Sequence, residues 1–248
     1  MATEELKVDC QIELLTLTID RPHKHNALSP EVLAAITEAL DGVSPDVRAV
    51  VLRGAGRVAF SAGYDLGRIE PPDTFDPDPD QNPVLRTVRA IRECQAPVIA
   101  AIFGYAYGAG FHIAAACDLR VVAESARFCM PPAKLGILYN PEGLLTFTEL
   151  LGVSNAKELF LTARPIDARR AEVMGIANWV VPDDDLEPFV SELVTGIAKH
   201  TSPFSVARIK AMLNTIQAAS LDPDYVAAFG REVFDSLTDG REFKPPSA

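Results

Sequence analysis

Two short stretches, "FSAGYDL" (60–66) and "GYAYGAGFH" (104–112), set small residues and glycine just before positions where a helix can start. At such a point the first backbone N–H groups lack intrahelical partners, and the positive end of the helix dipole favours an anion. Glycine lets a ligand come close to the main chain. Two such N–H groups aimed at one oxygen would hold the charge that develops on a carbonyl during reaction. Tight helix packing calls for the same small residues, so both readings stand on spacing alone. His112, in the second stretch, fits either a core histidine bonded to backbone or a site residue acting as hydrogen-bond donor or acid/base.

Three other motifs carry weaker chemistry. "GAGRVA" (54–59) has dinucleotide-fingerprint spacing, but the following "FSAGYDL" brings another glycine break instead of a helix, and no acidic residue ends a later strand. "AFSAG" (59–63) approaches a nucleophile elbow without its first glycine, and no motif places a histidine base beside it. "HKH" (23–25) has no Cys/His cluster to complete a zinc site. The four cysteines form no CxxC pair and read as buried thiols in a reducing compartment.

These residues must be positioned by a layered α/β chain. "QIELLTLTID" alternates as a half-buried strand, and Ser29-Pro30-Glu31 opens a helix that buries Val32, Leu33, Ile36 and Leu40. "RAVVLRG", "PVIAAI" and "LRVVAE" read as further strands. Asn82 caps a second helix through "NPVLRTVRAIREC", and the glycine-rich helix lies between the last two strands. Beyond about residue 142 the chain reads as helices, with caps expected at Asp183 and Ser202 and no internal repeat evident. The Pro- and Asp-rich stretch 71–82 reads as a loop, either a solvated excursion or a lid.

The net charge of −11 over 248 residues argues against a nucleic-acid partner. From Cys94 to Cys117 there is no formal charge, yet Ala and Gly dominate and Pro97 and three glycines divide the segment, so a core strand and helix are expected and no membrane span. The acidic N-terminal residues lack an apolar signal region, and a cytoplasmic location is the expectation.

"RPHKHNAL", "FSAGYDL", "GYAYGAGFHIAAACDLRVVAE", "FCMPPAKLGI" and "LTARPIDARRAEVMGIANWVV" together, in order and spacing, resemble the crotonase (enoyl-CoA hydratase/isomerase) superfamily over roughly residues 10 to 235. The resemblance implies an α/β fold, a spiral of ββα turns over residues 1–195. It also implies a helical C-terminal region, 196–248, that builds homotrimers or hexamers. It implies an acyl-CoA substrate whose thioester carbonyl sits between the N–H groups of Tyr64 and Ala109, a stabilised enolate, and neither metal nor cofactor beyond the CoA thioester itself. Lys24, His25 and Ala27 fall in the turn that lines CoA. Ala62, Gly63, Asp65, Leu66, Gly108, Pro132 and Asn140 fall in the other binding segments. The family tail that closes over adenine is shortened here, in "FDSLTDGREFKPPSA".

The departures bear on the reaction. A hydratase of this family holds water between two glutamates, and His112 and Pro132 occupy those positions here. Proline moves no proton, and each acid/base partner is typically worth about 10²–10⁴-fold. "LGILYNPEGL" resembles the methylmalonyl-CoA decarboxylase branch, in which a tyrosine at the position of Tyr139 contacts the departing carboxylate. That branch commonly has glutamate at position 112 and histidine at 64. Loss of CO₂ needs an enolate stabiliser and a desolvating pocket, without a general base. Asn140 stands where other branches place an aspartate, which argues against a dehalogenase. An isomerase or hydratase-like enzyme using Glu142 or His112 is a second reading, and Glu142 equally suits an ordinary first turn. A CoA-ester binding protein without catalysis is a third.

Overall fold

The structure, a computed structural model, describes residues 4–68 and 79–218. Most of the 71–82 loop and the C-terminal tail lie outside the described residues. The hairpin β1 (Leu6–Cys10) and β2 (Leu14–Ile19) is antiparallel. Parallel strands β3 (Ala49–Gly54), β5 (Val98–Ile102), β7 (Leu119–Ala123) and β10 (Trp179–Val181) extend it into a six-stranded sheet ordered β1-β2-β3-β5-β7-β10. Successive side chains point to opposite faces of a strand, and both faces are covered here. In β3, Val50 and Leu52 enter one core while Ala49 and Val51 enter the other. Hence "AVVLRG" and "VIAAI" read as nearly continuous apolar runs.

The first core is built with α1 (Pro30–Asp41), α2 (Pro83–Glu93) and α3 (Ala109–Ala116). The second is closed by α7 (Leu186–His200) through Leu186, Val190 and Val194. The expected caps are in place at α1 and α2, where Ser29 Oγ accepts from Val32 N–H and Asn82 Oδ1 accepts from Val84 and Leu85 N–H. The cap expected at Asp183 is replaced: residues 183–185 form a 3-10 turn, and Asp183 Oδ1 accepts from Ser125 N–H instead.

A second sheet, absent from the sequence reading, has the order β4-β6-β8-β9, with β4 (Ala59–Ser61), β6 (Tyr105–Tyr107), β8 (Arg127–Cys129) and β9 (Ile166–Asp167). Each of β3, β5 and β7 runs on into a strand of this sheet, and a helix follows each time. These are successive ββα turns, and the chain spirals as the resemblance implied, although no sequence repeat marks it. Gly104 makes one corner possible: its φ is +56°, and a Cβ there would lie 1.9 Å from Val58 O.

After β8 come α4 (Pro132–Leu135), α5 (Pro141–Thr162), α6 (Ala168–Met174), then α7 and α8 (Pro203–Ala218). Gly152, at φ +73°, breaks α5 between "EGLLTFTELLG" and "SNAKELFLTAR", which the sequence reads as separate helices. Ser202 Oγ accepts from Ser205 N–H at the start of α8, as expected. A buried lysine fastens α8 to the core. Lys210 Nζ donates to Ile91 O, Ala96 O and Asp118 Oδ2 at 2.9, 3.1 and 2.7 Å, so its three protons are all used. Asn214 adds a bond to the carbonyl of Arg92.

Removing one partner of a buried ion pair strands the other. Lys210→Met, which keeps the aliphatic stem, should therefore lower unfolding free energy by about 3 kcal/mol. Urea titration would measure it, and an unchanged midpoint would show that Asp118 finds water in place of the lysine.

Candidate active site

The two glycine stretches meet. Gly63 has φ +103°, and a Cβ on it would lie 2.9 Å from Tyr107 O and 3.5 Å from Ala109 N. Gly108, at φ +50°, would place a Cβ 4.0 Å from Gly63 Cα, and a Cβ on Gly110 would lie 2.6 Å from Ser61 Cβ and 2.8 Å from Ser61 O. No side chain fits at Gly63 or Gly110 in this crossing. Ala109 is the first residue of α3, and among the described residues nothing accepts from its N–H. Gly63 O accepts from Leu28 N–H at 2.7 Å. Across a trans peptide the N–H points opposite to the C=O, so the Tyr64 N–H is directed away from Leu28.

The turn 21–28 holds this segment from behind. His25 O accepts from Ala62 N–H, and Leu28 O accepts from Asp65 N–H, both at 2.9 Å. Asn26, buried at φ +56°, donates to Ala55 O and Ala59 O and accepts from Arg21 N–H. Asp65 Oδ2 receives Arg21 Nη2 and Lys24 Nζ, each at 2.9 Å. Burial works against the Asp65 carboxylate, but the bonds from Lys24 and Arg21 prevail and hold its pKa below the ordinary value. Lys24 is thus tied to Asp65, while its side chain stays half exposed beside the exposed His25. Leu66 is exposed at the start of a 3-10 turn.

His112 lies one turn beyond Ala109 on α3 and is fully enclosed. Its Nδ1 is 3.0 Å from the Tyr139 hydroxyl and its Nε2 is 3.4 Å from Thr146 Oγ1. The proton positions follow from the neighbours. Thr146 Oγ1 accepts from Arg92 Nη2 at 2.8 Å and donates its one proton to Glu142 O at 3.0 Å. Nε2 must then donate to Thr146, which leaves Nδ1 to accept from the Tyr139 O–H. Burial, seconded by the positive charge of Arg92, pulls the imidazole pKa from 6.5 down to about 3. Burial of its hydroxyl pushes the Tyr139 pKa up. The site has a neutral floor.

Aromatic packing surrounds this pair. Phe147 sits 4.9 Å from Phe111, centroid to centroid, and Phe160 sits 5.2 Å from both Tyr139 and Phe147. Gly143 gives the Tyr139 ring its space, since a Cβ there would lie 2.4 Å from Tyr139 Cε1.

The other expected residues divide. Glu142 turns to α2, where its Oε1 accepts from Arg89 Nη2 at 2.9 Å, and Arg89 also pairs with Asp80. Asn140 Oδ1 accepts from Gly143 N–H as the cap of α5, and Pro132 is the buried first residue of α4. Both nitrogens of His112 are engaged by neighbouring side chains, Nδ1 by Tyr139 and Nε2 by Thr146. Ser61 of the elbow-like motif is buried and accepts from Gly63 N–H. Sequence reasoning missed Arg92, Thr146, Arg21 and Arg89, which meet their partners only through folding. A groove of about 410 Å³ between Pro45, Arg48 and Phe204 lies elsewhere and contains none of these groups.

A ββα spiral with converging glycine loops is the architecture of a crotonase-type enzyme. Residues 10–245 match the family model described as enoyl-CoA hydratase/isomerase. The carnitinyl-CoA dehydratase of Salmonella typhi is 33% identical over 226 residues, 90% of this chain and 85% of that protein. The structure of a methylmalonyl-CoA decarboxylase in complex with 2-nitronate-propionyl-CoA superposes with a TM-score of 0.87 at 28% identity, covering 100% of this chain and 99% of that one. A monofunctional enoyl-CoA isomerase from M. smegmatis superposes with a TM-score of 0.74 at 29% identity, over 88% and 96% of the two chains. The chain belongs to the enoyl-CoA hydratase/isomerase family.

Two outcomes test this geometry. Gly110→Ala would push Ser61 away from α3 and separate the two N–H groups. It should weaken binding of a CoA thioester about ten-fold by calorimetry while leaving affinity for free CoA unchanged. His112, with its folded pKa below its unfolded one, contributes stability that is full above pH 6.5 and is lost as pH falls toward about 3. His112→Asn should flatten the dependence of unfolding free energy on pH across that window, by up to about 1.4 kcal/mol per pH unit.

Proposed function

We propose that this acyl-CoA enzyme is a decarboxylase-type lyase acting on a 2-carboxyacyl-CoA, with the thioester oxygen received by the N–H groups of Tyr64 and Ala109. One observation carries the reading: among the described residues no free carboxylate stands beside His112 and Tyr139. His112 is neutral, Tyr139 is a phenol, and Glu142 is engaged by Arg89. Water addition and double-bond migration both need a group that takes a proton. Breaking a carbon–carboxylate bond does not, because the electron pair of that bond becomes the enolate, two N–H donors hold the charge on the thioester oxygen, and solvent water then gives Cα its proton as the acyl-CoA leaves.

A neutral floor suits such a substrate twice over. It does not repel the substrate carboxylate, and it offers no cation to stabilise that carboxylate more than the transition state. Tyr139, reaching the pocket beside His112, orients the leaving carboxylate so that its bond to Cα lies across the enolate plane. The thioester CoA is the substrate's own handle, and no further cofactor enters the scheme. Lys24 and His25 meet CoA phosphates at the turn, with Ala27, Ala62 and Leu66 along the same edge. The C-terminal region, 196–248, joins copies into trimers or hexamers in the cytoplasm. Among the described residues no helix is long and apolar enough to cross a membrane.

Incubation with methylmalonyl-CoA or malonyl-CoA should release CO₂, and Tyr139→Phe should slow release at least about ten-fold. Rapid migration of a 3-enoyl-CoA double bond without CO₂ release would transfer the chemistry to Glu142. Tight binding of CoA esters with no product from any of them would make the protein a binder.

A further inference from the structure

We infer that Arg92, Thr146, His112 and Tyr139 form a reversible chain of hydrogen-bond donors that recognises a negatively charged substituent on the acyl group. In the proposed reaction that substituent is the carboxylate, so the chain rests on that reading for its substrate but not for its physics.

As the protein stands, the chain is pointed inward at its pocket end. Tyr139 gives its proton to His112 Nδ1 at 3.0 Å, and the phenol oxygen can offer the pocket only lone pairs. An anion there would find no donor. The same four residues have a second arrangement that reverses this. Thr146 turns its proton from Glu142 O to His112 Nε2, the imidazole carries its proton on Nδ1 and gives it to the Tyr139 oxygen, and the Tyr139 O–H points into the pocket. Each of the three groups carries one proton in both arrangements, so no net uptake or release occurs. Exchange takes place when the network opens to water. Every link then donates in one direction, from the guanidinium of Arg92 to the bound anion.

The distances are already those of such a chain, 2.8, 3.4 and 3.0 Å from Arg92 to Tyr139, and the ends differ in character. Arg92 is a permanent cation at the distal end. The group that meets substrate is neutral. Aligned hydrogen bonds polarise one another in a low-dielectric interior, so the anion feels the field of Arg92 without a direct ion pair. A salt bridge would favour the charged ground state over the transition state, in which the charge leaves the carboxylate. The chain separates recognition from that penalty. A neutral acyl group gives no reason to reverse it, which makes the chain a selector for anionic acyl-CoA esters.

The experiment uses ¹⁵N-histidine-labelled protein, with the His112 signals identified by their loss in His112→Gln. The probes are propionyl-CoA and its stable 2-sulfonate analogue. The imidazole nitrogens should report the Nε2–H tautomer in the free protein and with propionyl-CoA, and the Nδ1–H tautomer with the sulfonate. Thr146→Val, which removes the link while keeping the shape, should reduce affinity for the sulfonate about ten-fold relative to propionyl-CoA, and Thr146→Ser should restore it. One tautomer in all three states overturns the inference, as does an equal loss of affinity for both ligands in Thr146→Val. Should that variant fail to fold, the tautomer in the unaltered protein decides alone. Sulfonate-induced reversal without any CO₂ release leaves the chain standing and removes the reaction; CO₂ release without reversal does the opposite.

Discussion

The close crossing of two stretches of main chain, Ser61–Tyr64 and Tyr107–Gly110, is the constraint on which the remaining structure depends. A side chain at Gly63 or Gly110 would have to occupy space already filled by backbone atoms of the other stretch. The crossing exists because the chain spirals, bringing β4 beside β6 and then passing directly into α3. The ladder of bonds from the turn 21–28 and the buried Arg21–Asp65 pair resist its opening from the outer side. These bonds hold the two stretches of main chain against each other at Gly63 and Gly110.

What lies beyond them here is unusual in its electrical character. An imidazole buried among Phe147, Tyr139 and Thr146 stays neutral because ionising it would place a charge in a dry, aromatic surround. The charged groups nearby are kept at one remove: Arg92 behind Thr146, and Glu142 against Arg89. The groups packed around His112 thus carry little charge of their own. The relatives include a dehydratase, a decarboxylase and an isomerase.

The sequence was legible where a local rule acts. Ser29 and Asn82 have the right atoms at the right spacing for a cap, and the strands of the large sheet are long enough to show their apolar character. The glycine stretches were legible as places of close main-chain approach because such an approach needs no particular side chain, only the absence of one. The small sheet was not, because two or three residues such as "AFS" or "YAY" cannot display a period. Asp183 failed as a cap because a tertiary partner, the Ser125 amide, claims its oxygen. Arg92, Thr146 and His112 sit 20 and 34 residues apart on three helices, and nothing in the spacing of those letters says that they touch. Glu142 read equally well as base or as first-turn acid until Arg89 supplied a partner.

The end of α2 serves two masters. The carbonyls of Ile91 and Arg92 are held by Lys210 and Asn214 of α8, and the side chain of that same Arg92 reaches Thr146 at the pocket. Two adjoining peptide units thus join α8 to the hydrogen bonds around His112. The anchoring of α8 and the placement of the guanidinium beside Thr146 therefore share one residue, Arg92.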